Sequence, residues 1–370
     1  MRGTLKGRAR GLHERVHVVV LAGGAGERFW PRSRGRRPKP FLEVVDGKSL
    51  LEATLERARR IAAPDHVWIV CGKEHAGALR RHTGLPAARV LVEPMRRNTA
   101  MAVGWAATRL AAVDPEAILV TLPADHRVPD PAAFGRACLR AAKAAAAAGT
   151  LVTLGVRPTR PDTGYGYLQL GPSVGPDAPG LHRVRRFVEK PDAGKARRFL
   201  RQGGFLWNAG IFIWTARALL AEIEACAPAL AAAVEGLRGA KGGVPSARRL
   251  AAAYRQAPAL PIDVAVLEQS RRVWTLPVSF RWSDVGTWAS LAEELSAGAG
   301  GNVALGGASI FEESKGNFVW SEKRLVALFG VEGLAVIDAG DALLVARLSR
   351  SGDLRRLVEA LRARGRSDLT

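Results

Sequence analysis

The residues with the plainest chemical potential lie close to the N-terminus. Gly23-Gly24-Ala25-Gly26-Glu27-Arg28 follows the short apolar run His17–Ala22, and Lys39 stands eleven residues beyond Arg28. Glycines directly after a strand let backbone N–H groups approach a phosphate, and nearby cations then neutralise it. Two familiar phosphate motifs are excluded by position. A G-x-G-x-x-G fingerprint starting at Gly24 would need a glycine where Phe29 stands. A Walker A motif ending in Gly47-Lys48-Ser49 would need one at Leu42, so those three residues read as a turn before a helix. On composition alone, the alternative for the loop is an ordinary turn beside a solvated basic face. Asp125 follows the predicted strand Ile118–Leu122, at the strand end where open α/β sheets bind ligands. An isolated Asp there is equally suited to cap a helix. Asp284, also predicted to follow a short strand, is a second carboxylate of the same sort.

The elements that must position these groups alternate. His17–Ala22, Val67–Cys71, Ile118–Leu122 and Leu151–Val156 read as buried strands. Between them, Ser49–Ile61 (Ser49 capping, Glu52 three residues on), Thr99–Ala112 and Phe134–Ala148 (stopped by Gly149) read as helices. This predicts an α/β domain with a mostly parallel sheet. Beyond residue 157 the pattern becomes mixed. Strands are predicted at Tyr167–Leu170, Arg183–Glu189, Ile211–Trp214, Trp274–Pro277 and Phe280–Trp282, helices at Lys195–Gln202 and Ala216–Ala225, and a loop at Gly236–Ala247. After Asn302, short β runs at Asn317–Trp320, Leu325–Phe329, Leu334–Ile337 and Ala342–Ala346 precede a final helix, Asp353–Arg364. The expected organisation is a loose basic tail over 1–15, a catalytic domain over 16–290, and a small β-rich domain over 300–370.

The chain has 370 residues, with 55 Lys+Arg against 34 Asp+Glu and a formal charge of +21. The first 60 residues alone carry 15 Lys/Arg against 6 Asp/Glu. An excess of this size points to a polyanion, either nucleic acid or small phosphorylated substrates. No nucleic-acid-reading motif is present, so nucleic acid is not an expected partner. Apolar residues make up 48%, which excludes a disordered chain. Cys71, Cys138 and Cys226 are far apart with no C-x-x-C, which argues against a disulfide framework or zinc ribbon and predicts a reducing, cytoplasmic setting. No apolar run reaches the length of a membrane span, and Val18–Ala22 is too short for a signal peptide.

Taken in order, the motifs resemble those of the sugar-1-phosphate nucleotidyltransferases, specifically the mannose-1-phosphate guanylyltransferase branch. The glycine loop with Phe29-Trp30-Pro31-Arg32-Ser33 resembles the family signature. Glu93-Pro94 with Arg97-Asn98-Thr99-Ala100 resembles the nucleobase segment, and Pro123-Ala124-Asp125-His126 the metal segment. Thr163-Gly164-Tyr165-Gly166-Tyr167, Phe187-Val188-Glu189-Lys190-Pro191, Trp207-Asn208-Ala209-Gly210-Ile211-Phe212, Ile262-Asp263 and Trp282-Ser283-Asp284-Val285-Gly286-Thr287-Trp288 match later blocks.

The resemblance implies a Rossmann-like nucleotidyltransferase domain with a β-helix-like C-terminal domain. It implies transfer of GMP from GTP to α-D-mannose 1-phosphate, giving GDP-mannose and pyrophosphate; another sugar 1-phosphate or another NTP is the alternative. Gly23, Gly24 and Gly26 would cradle the triphosphate, with Arg28 and Lys39 as its cations. Asp125 and Asp284 would hold Mg²⁺ or Mn²⁺. Glu93 and Asn98 would meet the base, and Gly164, Tyr165, Glu189, Lys190 and Asn208 the sugar phosphate. No general base is required, because the attacking phosphate oxygen is already anionic. The β-rich end invites a homodimer.

The chain departs from the family pattern at Arg96 and Met101, beside the base segment, and at Ala209. Longer relatives carry a metal-dependent isomerase domain; residues 301–370 contain no histidine, so isomerase activity is not expected.

Overall fold

The structure, a computed structural model, describes residues 11–24, 26–35, 37–45, 47–239, 244–296 and 301–370. It divides into two compact units. Among the described residues, the first holds 11–22, Thr54–Pro123 and Val128–Trp282; the second holds Gly23–Ala53, Ala124–Arg127 and Ser283–Thr370.

The first unit is built on a nine-stranded sheet. Its strands are β1 (Val16–Leu21), β2 (Val67–Gly72), β3 (Val90–Glu93), β4 (Ile118–Pro123), β5 (Leu151–Val156), β6 (Tyr167–Ser173), β7 (His182–Val188), β8 (Phe205–Thr215) and β9 (Val273–Val278). Their order is β3-β2-β1-β4-β8-β5-β9-β7-β6. The first four strands are mutually parallel, as continuous apolar runs buried on both faces require. The long β8 runs antiparallel to both β4 and β5 and makes the sheet mixed. Helix Asn98–Ala111 buries Ala100–Ala107 and Leu110 against a core with Val19, Leu119, Trp214 and Tyr254. Helix Pro131–Ala148 starts at an Asp130 cap and ends at Gly149, whose φ of 57° suits glycine.

The second unit has a core of Phe29, Trp30, Leu50, Trp288, Phe318 and Trp320. Val303–Gly306, Phe318–Ser321 and Leu334–Asp338 stack in parallel, and Leu343–Arg347 pairs antiparallel with the last of them. Ser309–Glu312 pairs in parallel with Val326–Phe329. Ser49 and Glu52 form the predicted reciprocal cap: the Ser49 N–H donates to Glu52 Oε2 at 2.7 Å, and the Glu52 N–H to Ser49 Oγ at 3.2 Å.

Several expectations need correction. Phe280–Trp282 forms no strand; only an isolated bridge joins Ser283 to Arg127. Ile211–Trp214 is the second half of β8, which begins at Phe205 and shifts register between Asn208 and Phe212. Helices at Lys73–Thr83, Pro228–Glu235, Ala247–Gln256 and Trp288–Leu295 were not anticipated. For residues 12–15 the loose tail fails: Leu12–Arg15 is helical, and Arg15 donates to the Glu116 carbonyl at 2.8 Å. Residues 1–10, and 240–243 of the predicted loop, lie outside the described residues.

Candidate active site

The glycine loop makes a close internal approach. Gly24 has φ 112° and Gly26 φ 62°, both in the region that favours glycine. A β-carbon on Gly26 would lie 2.6 Å from Lys39 Cβ and would also overlap Ser33 Oγ. Gly26 therefore lets the tight turn Glu27–Phe29 fold against the start of the turn Lys39–Phe41. Arg28 is exposed on the first turn, and Ala25 lies outside the described residues.

Lys39 is buried. Its Nζ donates to Asp125 Oδ2 and to the Asp284 carbonyl, each at 2.7 Å. Backbone bonds join the segments carrying the two aspartates: Arg127 N–H to Ser283 O at 2.9 Å, and Ser283 N–H to Arg127 O at 3.0 Å. Arg127 also pairs with Glu294. Burial opposes ionisation of Asp125, but Lys39 and then His126 outweigh it and hold the carboxyl below the usual range. Val285 adopts φ 45°, and a β-carbon on Gly286 would meet Asp284 Oδ2 at 2.7 Å, so this block also leaves room for its own carboxylate. Three residues separated by up to 245 positions thus meet at one ammonium group. At Lys39 Nζ one carboxylate oxygen, from Asp125, and one backbone carbonyl, from Asp284, come together, and hard oxygens of this kind are what Mg²⁺ takes when phosphates complete its shell.

The loop is held from the C-terminal end of the same unit. Glu27 pairs with Arg362 at 2.8 Å and Arg355 at 3.5 Å, both on helix Leu354–Ala363. Trp30 Nε1 donates to Leu369 O at 2.8 Å, and Trp288 Nε1 to Trp30 O at 3.1 Å. The basic run Arg34–Arg37 reads from sequence as a solvated face, and Arg34 departs from this: it forms a two-pronged pair with Asp341. Arg37 pairs with Glu43, and Arg36 lies outside the described residues. Arg32 is buried over the Trp320 ring, 4.6 Å from its centroid.

The predicted sugar-phosphate residues lie in the first unit. Asn208 is buried on β8. Its Oδ1 accepts from Thr153 Oγ1 at 2.7 Å and from the Gly210 N–H at 3.2 Å, while its Nδ2 donates to Asp263 Oδ1 at 2.9 Å. These three bonds fix the orientation of the amide. Glu189 accepts an ion pair from Lys190 at 3.2 Å, and its N–H donates to Glu268 Oε1 at 2.7 Å. A β-carbon on Gly166 would sit 2.7 Å from Glu189 Oε2 and 3.0 Å from the Phe187 ring, so the glycine leaves room for the carboxylate where the chain passes it. Tyr165 packs edge-on against Trp207 and Trp282, and the Gly164 N–H donates to Asp162 Oδ1 at 2.8 Å. Asp263 is pushed up to about 7, first by burial and then by Glu189.

The base-side residues are also in the first unit. Glu93 ends β3 and accepts from Tyr254 OH at 3.2 Å. Burial pushes its carboxyl up to about 7 against the opposing bond from Tyr254. Asn98 has φ 63°, and its Oδ1 accepts the next residue's N–H at 2.8 Å; that carbonyl, expected to face a base, is used locally. Sequence reasoning gave no role to Thr153, Tyr254, Asp263 or Glu268. Asp263 carried a signal, because it stands in a matched block; the others are visible only through their bonds.

Two family models match the chain. One described as "Nucleotidyl transferase" covers residues 17–298, and one described as "MannoseP isomerase/GMP-like beta-helix domain" covers residues 307–361. The xanthan biosynthesis protein XanB of Xanthomonas campestris is 36% identical over 359 residues, 96% of this chain and 75% of that protein. The mannose-1-phosphate guanylyltransferase of Escherichia coli is 34% identical over 355 residues, 95% of this chain and 74% of that protein. A solved structure described as a mannose-1-phosphate geranyltransferase from Thermus thermophilus superposes with a TM-score of 0.85 at 36% identity, covering 94% of this chain and 99% of the other.

Proposed function

From the chain's place in the nucleotidyl transferase family, to which it belongs, we propose that this nucleotidyltransferase moves GMP from GTP to α-D-mannose 1-phosphate. The observation that carries the reading is the meeting of Lys39, Asp125 and Asp284 beside a glycine loop. The guanylyltransferase relative supports the choice of substrates. A phosphate oxygen of the sugar attacks the α-phosphorus of GTP. The new P–O bond forms as the bond to the β-phosphate oxygen breaks, and pyrophosphate leaves with that electron pair. Gly23, Gly24 and Gly26 offer backbone amides to the triphosphate, and Arg28 and Lys39 offset its charge. Mg²⁺ or Mn²⁺, held through Asp125 and Asp284, supplies further charge neutralisation when bound. Lys190 grips the sugar phosphate, Glu189 and Asn208 bind hydroxyls beside Gly164 and Tyr165, and Glu93 accepts the guanine N–H groups, with Asn98 alongside.

The deciding experiment is pyrophosphate release from a panel of NTPs and hexose 1-phosphates with Mg²⁺. GTP with mannose 1-phosphate is expected to lead; another pair leading would overturn the substrate assignment. A second expectation concerns pH. Only ionised Glu93 accepts two N–H groups, and burial places its midpoint at about 7. The value of kcat/KM for GTP should therefore fall about tenfold per pH unit below that point, and Glu93→Gln should remove this limb. A pH profile unaltered by Glu93→Gln would remove Glu93 from base recognition.

We place the enzyme in the cytoplasm, supported by its free cysteines Cys71, Cys138 and Cys226. No helix among the described residues is long and apolar enough to cross a membrane. No nucleic acid is required, and a gel shift at physiological salt should be negative. The exposed Ile310, Phe329, Leu343 and Val345 of the C-terminal strands support a homodimer, which light scattering tests directly.

A further inference from the structure

The segment Tyr254–Asp263 has no role in the reaction as assigned above, yet it touches both groups of recognition residues in the first unit. At its start, Tyr254 OH donates to Glu93 at 3.2 Å, and its carbonyl accepts from Arg97 Nε at 2.7 Å. In the middle, the Ala100 N–H donates to Leu260 O at 3.2 Å and the Ile262 N–H to Thr99 Oγ1 at 2.9 Å. At its end, Asp263 accepts from Asn208 Nδ2 at 2.9 Å. The single π turn Asp263–Leu267 then leads to Glu268, which holds the Glu189 N–H at 2.7 Å. Between the two ends stand Pro258 and Pro261, each with φ fixed by its ring. The segment is a stiff connection bonded to β3, to the start of helix Asn98–Ala111 and to β8.

We propose that Tyr254–Asp263 is a strap that sets base and sugar recognition together, with Tyr254 and Asp263 as positioning residues acting through Glu93 and Asn208. This rests on the assignment of Glu93 to the base and Asn208 to the sugar. Asp263 fixes the orientation of the Asn208 amide by accepting from its Nδ2. The Tyr254 hydroxyl fixes the Glu93 carboxylate by a hydrogen bond to Oε1. Because one stiff segment makes both bonds, loosening either end is felt at the other.

The test compares Tyr254→Phe, Asp263→Ala, Asp263→Asn, Pro261→Ala and the double variant Tyr254→Phe/Asp263→Ala with Glu93→Ala and Asn208→Ala. The readouts are steady-state kinetics, calorimetric titration of GDP-mannose and melting temperature. Asp263→Ala should raise KM for mannose 1-phosphate about tenfold, with kcat changed less than about threefold. Asp263→Asn, which keeps an acceptor oxygen, should restore most of that loss. Tyr254→Phe should raise KM for GTP about fivefold. Pro261→Ala leaves both end contacts chemically intact and should raise both KM values; it carries the test if Asp263→Ala does not fold. The double variant should lose GDP-mannose affinity at least about threefold less than the product of its single losses. Strictly multiplicative losses, or unchanged KM values in the strap variants while Glu93→Ala and Asn208→Ala are impaired, overturn the strap and leave the site assignment standing. Unchanged KM values in Glu93→Ala and Asn208→Ala overturn the site assignment, and the strap with it.

Discussion

Asp125→Asn is expected to lower kcat about a thousandfold, with a smaller loss of stability because buried Lys39 loses its charged partner. The asparagine oxygen can still accept from Lys39 Nζ, so the 2.7 Å bond has a neutral replacement and local packing survives. The lost element is the charge. In the wild type the carboxylate is held ionised by Lys39 and His126, and in the proposed reaction it would meet a divalent cation. An amide binds such a cation far more weakly, and the transferring phosphoryl group loses part of its compensation. Pyrophosphate release at saturating GTP and mannose 1-phosphate measures the effect. A Mn²⁺ titration followed by electron paramagnetic resonance should show weaker binding in parallel. A near-wild-type rate would remove Asp125 from the reaction.

Gly26→Ala is expected to be the most damaging change to the loop, by roughly a hundredfold in kcat and about 2–4 kcal/mol in stability. Two costs combine. The residue must hold φ 62°, and its new methyl group must share space with Ser33 Oγ and Lys39 Cβ. The second contact passes the strain to the lysine that bridges the two aspartates. Gly24→Ala is the control: its φ of 112° is more foreign to alanine than the left-handed 62° of Gly26, but no atom lies within 4 Å of the added carbon. It should cost stability with a smaller kinetic loss. Equal kinetic losses for the two variants would mean that backbone strain, rather than displacement of Lys39, carries the effect.

What the sequence disclosed follows from where the information resides. Strand Leu151–Val156 is placed without error because a short apolar run between a terminating glycine and polar residues has few alternatives. The Ser49/Glu52 cap is legible because it is local. Helix Lys73–Thr83 escapes because it is largely polar and buries only His75, Ala76 and Leu79, leaving weak periodicity to detect. Phe280–Trp282 misleads for the opposite reason: its aromatic residues pack as side chains without pairing a backbone. The glycine loop, Lys39 and Asp125 could be proposed from residue type and order. That Lys39 would also meet the Asp284 carbonyl, and that Arg34 would be captured by Asp341, depends on contacts across hundreds of residues to which no local pattern responds.

The clamp on the glycine loop bears on the order of folding. Glu27 and Trp30 are made early in translation, but their partners Arg362 and Leu369 come more than three hundred residues later. Residues 23–53 belong to a unit whose remaining segments are 124–127 and 283–370. On the ribosome, the sheet strands from β1 to β9 can pair while that unit still lacks most of its core. Contacts of such sequence separation close slowly. The first chemically distinctive segment to be synthesised is therefore among the last to be fixed. A chain stopped before the terminal helix would carry every proposed site residue and lack the Arg355 and Arg362 contacts that brace the loop.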